Sequence, residues 1–249
     1  MKPRFDGKVV VVTGGSSGIG RAVAQRIAAE RGAVVIGARR TDAGEAAAAE
    51  VRDEGGRAEF VATDVTVEAD VARLIGTALE RFGRLDGAFN NVGGVAAGGS
   101  ITDLDAAAWQ AELDLNLTSV FHCLKHELPA LQANHGGAIV NNASALGVTG
   151  AGGMAAYTAA KHGVVGLTRA VALETARDGI RVNALVTHAV DTPLFHSLAG
   201  ESVDATGLSP IGRLSRPDEV AAFAAFLLSD EAAFVTGAAL AIDGGYSAQ

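Results

Sequence analysis

VVVVTGGSSGIGRAVAQ, residues 9–25, passes from consecutive valines through Gly14, Gly18 and Gly20 into an alanine- and valine-bearing stretch of helical period. The apolar run reads as a strand buried on both faces, and the stretch from Gly20 as the helix that follows it. Glycine allows the tight turn and lets a pyrophosphate approach the backbone. The helix N-terminus adds unpaired N–H groups and the positive end of its dipole. The spacing G-x-x-x-G-x-G differs from the dinucleotide fingerprint G-x-G-x-x-G, and alone it fits a plain glycine turn as well as a nucleotide site. Its place on a first strand-to-helix turn favours the nucleotide site.

The same unit repeats along the chain. AVVIGA (33–38) precedes a helix over about 42–54, and AEFVAT (58–63) one over about 67–82. LDGAFNN (85–91) is followed by a long helical region over about 105–134, and GAIVNNAS (137–144) by a helix beginning at Met154. IRVNALV (180–186) and AALAID (238–243) complete the strands. Solidly apolar strands alternating with helices predict an α/β fold: one doubly wound, Rossmann-type parallel sheet of about seven strands with helices on both faces. No linker or composition shift divides residues 1–249, so a single domain is expected. The long irregular segment 187–216 is expected to be a lid or substrate loop.

A formal net charge of −8 excludes nucleic acid as the main partner, because phosphate binding needs a basic surface. The one cysteine, Cys123, cannot form an internal disulfide. No run reaches the roughly 18 apolar residues of a membrane span, and the N-terminal stretch lacks the pattern of a secretory signal. A soluble, cytoplasmic protein with no membrane partner is the expectation.

Tyr157 and Lys161 lie four residues apart in MAAYTAAKHGVVGLTRAVALE (154–174), on one helix face. An ammonium beside a phenol is expected to lower the tyrosine pKa towards working pH, fitting it to exchange a proton with a carbonyl or an alcohol. Ser144 ends a strand at the carboxyl edge of the sheet, where open α/β folds bind ligands. Asn116 interrupts AELDLNLTSVF with a poor helix former, which signals a kink or a hydrogen-bonding task. The second strand ends in Ala38, Arg39 and Arg40, where an acidic residue would read ribose hydroxyls. The arginines favour the 2′-phosphate of NADP, with NAD as the alternative if Asp42 meets the ribose.

Together TGGSSGIG, Asp64–Val65, the Asn90–Asn91 pair, Asn116, Ser144 and YTAAK resemble the short-chain dehydrogenase/reductase family along essentially the whole chain. The resemblance implies Tyr157 as general acid/base, and Lys161 as the group that lowers its pKa and bonds the nicotinamide ribose. It implies that Ser144 holds the substrate oxygen and that Asn116 positions a proton-relay water. Cofactor contacts are implied for Gly14, Ser16, Ser17, Gly18, Ile19, Gly20, Arg39, Arg40, Asp64, Val65, Asn91, Tyr157, Lys161, Val190 and Thr192, with Asn90 near the cofactor. A ketone or secondary alcohol is the implied substrate and a homotetramer the implied assembly. A 3-oxoacyl-carrier-protein reductase and a non-catalytic NAD(P)-binding sensor or scaffold are the alternatives.

Two places depart from the family pattern. Val92 stands where alanine is usual, and Thr187–His188 where Pro-Gly is usual, against the nicotinamide. Leu146, Val148, Met154, Leu194, Phe195 and Leu198 are expected to make the substrate pocket apolar. His122 and His126 share a helix face with zinc-like spacing, but no third ligand is evident and no metal is expected.

Overall fold

The computed structural model describes residues 3–95, 98–200 and 204–248. Its strands are β1 (Val9–Thr13), β2 (Ala33–Ala38), β3 (Arg57–Ala62), β4 (Gly87–Asn90), β5 (Gly137–Asn142), β6 (Ile180–Thr187) and β7 (Ala239–Ile242). The helices are α1 (Gly18–Ala29), α2 (Thr41–Asp53), α3 (Glu68–Phe82), α4 (Ala106–Leu113), α5 (Ser119–Ala133), α6 (Ala155–Thr175), α7 (Pro193–Ala199) and α8 (Pro217–Leu228). The strands form one parallel seven-stranded sheet in the order β3-β2-β1-β4-β5-β6-β7. The order reverses between β1 and β4, where Val10 pairs with Val34 on one side and Gly87 on the other. That switch point opens a crevice at the carboxyl ends of the central strands.

The unbroken valine run follows from burial on both faces. Val10 and Val12 pack into one core layer with α1, α2 and α8, through Val23, Ile27, Val51 and Leu227. Val9 and Val11 point the other way into a second layer with α3, α5 and α6, through Leu74, Leu131 and Val164. Alternation along the strand thus feeds two layers, and neither face tolerates a polar residue.

The helical region expected over 105–134 is not continuous. Asp114–Thr118 forms a π-helical turn between α4 and α5, and Asn116 lies within it, fully buried. Its amide bonds to Gly94 and Glu112 hold the widened turn, so a tertiary contact overrides the apolar period. The segment 187–216 also carries structure, with α7 capped by Thr192 and started by Pro193. Residues 201–203 of that segment lie outside the described residues. Among the described residues no helix is long and apolar enough to cross a membrane.

Glu127 of α5 is fully buried between this helix and the sheet. Asn90 Nδ2 donates to Glu127 Oε2 and to Asn141 Oδ1, each at 3.0 Å, and Asn141 Nδ2 donates to Thr168 Oγ1 at 2.9 Å. Burial pushes the Glu127 carboxyl up to about 7, partly offset by the Asn90 bond. The folded chain therefore holds a proton that an unfolded glutamate, near 4.3, has released, and stability falls as pH rises between these values. Glu127→Gln keeps the bond acceptor without the charge. Denaturant unfolding at pH 5 and pH 8 should show the wild type losing up to about 3 kcal/mol more than the variant over that interval.

Candidate active site

The turn after β1 is built for close approach. Gly14 and Gly18 have φ of +66° and +53°, the left-handed region that glycine enters without strain. Gly14 N donates to Gly37 O at 2.7 Å, drawing the turn onto the end of β2. At Gly20 an added Cβ would run into the Gly14 carbonyl oxygen and lie 2.8 Å from Asn91 Nδ2. The turn thus presents backbone at the start of α1, a cradle that suits a dinucleotide pyrophosphate. Ser16, Ser17 and Ile19 are half-buried around it.

Arg39 and Arg40 are both exposed just past β2, and Arg40 Nη2 donates to Ser17 Oγ at 3.3 Å. This bond leans a guanidinium over the cradle, while Ala38 beneath is buried. Asp64 is drawn into its own turn, its Oδ1 accepting from Thr66 N at 3.0 Å and Thr66 Oγ1 at 2.7 Å. Val65 beside it is buried in a small cluster with Val71 and Cys123, against which Val92 packs.

The two asparagines after β4 part company. Asn90 turns into the core network with Glu127, whereas Asn91 turns to the cradle. Asn142 Nδ2 donates to Asn91 Oδ1 at 2.9 Å, and Thr187 Oγ1 donates to Asn142 Oδ1 at 3.1 Å. A row of polar side chains therefore crosses the ends of β4, β5 and β6. On the far side Val190 is buried, and Thr192 Cγ2 would lie 3.0 Å from a Cβ at Gly18. The segment after β6 thus closes against the cradle.

Tyr157 and Lys161 stand one turn apart on α6, with the ammonium 5.6 Å from the centre of the phenol ring. Lys161 is only 3 % exposed, and its Nζ donates to Asn142 O at 3.1 Å. Burial pulls its pKa down to about 8, against the opposing pull of the Glu112 carboxylate. The phenol does not follow the expectation of a lowered pKa. Burial raises it, a hydrogen bond with Ser144 lowers it, and the negative charge of Glu112 raises it again. Desolvation of the ring end outweighs what spacing on a helix suggests. Ser144 Oγ also accepts from Leu146 N at 3.2 Å, capping the short turn after β5 and fixing the hydroxyl beside the phenol.

Asn116 is held on every side. Its Nδ2 donates to Gly94 O at 2.9 Å and Glu112 Oε1 at 2.8 Å, and its Oδ1 accepts from Gly94 N at 3.1 Å. A Cβ at Gly93 would lie 2.9 Å from Asn116 Oδ1 and 3.1 Å from Lys161 Nζ, which brings the π turn, the turn after β4 and α6 together at one point. Asn116, Ser144, Tyr157 and Lys161 are thus gathered at the carboxyl edge of the sheet.

The sequence reading missed Glu112, Asn142 and Glu127. Glu127 carried a signal: it falls on the face of α5 marked by Val120, Cys123, Leu124 and Leu131, where a carboxylate is out of place. Of the apolar residues expected around the substrate, Leu146 is buried, whereas Val148, Leu194 and Leu198 are exposed. The rings of His122 and His126 face different partners, Val65 O and Glu68 Oε1.

Gly20→Ala should lower the affinity for a nicotinamide dinucleotide at least tenfold in a fluorescence titration with NADPH and NADH. Its methyl also overpacks the turn, for a stability loss of about 1–3 kcal/mol by denaturant unfolding.

A family profile described as enoyl-(acyl carrier protein) reductase matches residues 14–247. The chain is 46% identical to cis-4-hydroxycyclohexanecarboxylate dehydrogenase of Sinomonas cyclohexanicum over the full length of both. It is 42% identical to 2,5-dichloro-2,5-cyclohexadiene-1,4-diol dehydrogenase of Sphingobium indicum (98% of each chain), and 39% to cyclohexanol dehydrogenase of an Acinetobacter species (100% of this chain, 98% of that one). Among solved structures, levodione reductase superposes with a TM-score of 0.94 at 38% identity, covering 98% of this chain and 99% of that one. An actinorhodin polyketide ketoreductase variant crystallised with NADPH superposes at 0.92 and 36%, covering 97% and 98%. A short-chain dehydrogenase/reductase from Burkholderia xenovorans does so at 0.92 and 37%, covering 99% of each. The chain belongs to the short-chain dehydrogenase/reductase family and is an oxidoreductase of alcohol and ketone groups.

Proposed function

We propose that this chain interconverts an alicyclic ketone and its secondary alcohol with NADP(H), using Tyr157 as proton donor and acceptor. The observation that carries the reading is the convergence of the Ser144 hydroxyl and the Lys161 ammonium on the Tyr157 phenol. Gly14, Ser16, Ser17, Gly18, Ile19 and Gly20 would hold the pyrophosphate, Asp64 and Val65 the adenine, and Asn91, Val190 and Thr192 the nicotinamide end. When bound, the nicotinamide supplies or accepts a hydride.

The chain's own residues manage the proton. A phenol held up by burial keeps its O–H at neutral pH and can release it to a carbonyl oxygen as negative charge develops there. Ser144 holds that oxygen beside the phenol. Lys161 stabilises the phenolate left behind, and in the alcohol direction the same charge favours removal of the hydroxyl proton. The Asn116 side chain, which the resemblance assigns to placing a relay water, is itself engaged by Gly94 and Glu112.

The substrate class follows from the relatives' names: a cyclohexanol, a hydroxycyclohexanecarboxylate and a cyclohexadienediol each carry a hydroxyl on a six-membered carbon ring. Segment 187–216 serves as the substrate loop, bringing Leu194 to within 3.9 Å of a Cβ at Gly94. The net charge of −8 gives an acidic acyl-carrier protein little to dock on. Exposed Phe121 on α5 and Leu173 on α6 leave apolar surface on the two helices through which the family resemblance implies a homotetramer.

Purified protein should oxidise cyclohexanol with NADP⁺ and reduce cyclohexanone with NADPH. Tyr157→Phe should lower kcat by at least a thousandfold while NADPH affinity stays within threefold, the span expected of a lost acid/base. Retained turnover would reassign the acid. Arg40→Ala should weaken NADPH at least fivefold and leave NADH within twofold, because only the 2′-phosphate needs the guanidinium. Equal losses would pass recognition to Asp42 and NAD.

A further inference from the structure

We propose that His188 is a positioning residue for the substrate site, a strut that ties the far limb of the 187–216 loop to the turn after β7 without touching the reacting atoms. The inference rests on reading 187–216 as the substrate loop.

Thr187 faces back along the sheet ends to Asn142, and His188 faces the other way. Its Nε2 lies 2.9 Å from Leu208 O, and a carbonyl can only accept, so Nε2 carries the proton. Its ring stacks on Tyr246 with centroids 3.9 Å apart and planes inclined by 19°. One ring nitrogen is therefore engaged and one ring face covered, which leaves the imidazole poorly placed for proton transfer to substrate. Burial lowers its pKa, against smaller upward pulls from Leu208 O and Asp243, which favours the neutral ring.

Both partners of the strut are themselves fixed. Asp243 accepts from Gly245 N at 3.0 Å and from Ser247 N at 2.9 Å, folding the turn that presents Tyr246. Ile211 N donates to Gly244 O at 3.2 Å, so the far limb of the loop lies directly on that turn. Gly244, at φ +65°, would place a Cβ only 2.8 Å from Ser209 Oγ, so the Ser209 side chain packs where a side chain at 244 would stand. The near limb is closed separately, with Ser215 N donating to Ala189 O at 3.0 Å and Asp191 N to Ser215 O at 2.8 Å. Between these two ties hangs α7, which carries Leu194 and Phe195. The usual glycine at position 188 would provide neither the hydrogen bond nor the stack. Here the imidazole joins β6, the far limb and the turn after β7 at one point.

Two readouts separate the strut from the substrate assignment. In hydrogen–deuterium exchange, His188→Ala and Tyr246→Ala should each raise exchange at least tenfold in peptides covering 204–212 and 243–248, with β1 and α1 unchanged. Tyr246→Phe, which keeps the stack, should match the wild type. In kinetics with cyclohexanone and NADPH, the same two alanine variants should raise KM for the ketone at least fivefold. The value of kcat and the affinity for NADPH should stay within twofold, and the double variant should be no worse than either single one. A fall in kcat with KM unchanged would make His188 a catalytic residue and overturn the proposal. Unchanged exchange in both peptides would overturn it as well. If wild-type protein does not reduce cyclohexanone, the substrate assignment fails, and the exchange result still decides the strut.

Discussion

The site is organised around one electrostatic problem, an ammonium group buried in the protein. An isolated charge removed from water is costly unless dipoles and an opposite charge replace the hydration shell. Lys161 is given the Asn142 carbonyl, the face of the Tyr157 ring and the field of the Glu112 carboxylate. Each comes from a different element, so meeting the lysine's needs docks α6 against the end of β5 and against α4. Glu112 is fully buried too, and its carboxylate is fixed by Asn116, which in turn grips both polar backbone atoms of Gly94. The π turn provides this chain of contacts. It rotates Asn116 inward at the place where the turn after β4 passes, and a regular helix would not be held there.

A second constraint acts across the sheet. Parallel strands end together at the switch point, and their last side chains must pair or face solvent. Thr187, Asn142 and Asn91 pair in sequence, and Asn91 N donates to Thr13 Oγ1 at 2.9 Å, which continues the row to β1. The replacement of the usual proline by Thr187 is therefore used: its hydroxyl supplies the donor that Asn142 Oδ1 needs. Asn142 serves both constraints at once, its carbonyl taking the ammonium and its side chain joining β6 to β4.

What the sequence made legible follows from the range of the forces involved. The number of strands, the glycine turn after β1 and the shared helix face of Tyr157 and Lys161 are set by local period and spacing, and each is found where periodicity puts it. The break between α4 and α5 was flagged only as an awkward Asn116, because apolar residues continue in register on both sides. The widened turn is held by Gly94 from across the fold and by Glu112 one turn back on α4. The shift in the Tyr157 pKa was read with the wrong sign for a related reason: helix spacing reveals a neighbouring charge but not the depth of burial, and depth dominates. His188 stood out as an unusual residue, yet its partner Tyr246 belongs to the far end of the chain and no local pattern links them.

On the proposed function, the site has two mechanical halves. The proton-handling half is made of strand ends, a long helix and a π turn, cross-linked by buried polar bonds that leave little freedom. The other half is a single excursion between β6 and α8, exposed at Leu194, Leu198 and Ile211 and held, among the described residues, through Ser215, Ile211 and His188. Groups that act on the reacting oxygen need placement within fractions of an ångström, and rigid elements provide it. Groups that choose among substrates need only a shaped apolar wall, which a loop can vary without disturbing the buried charges. Differences in substrate among relatives of this chain should therefore concentrate in the loop and in whatever holds it, whereas the residues around Lys161 should change only as a set.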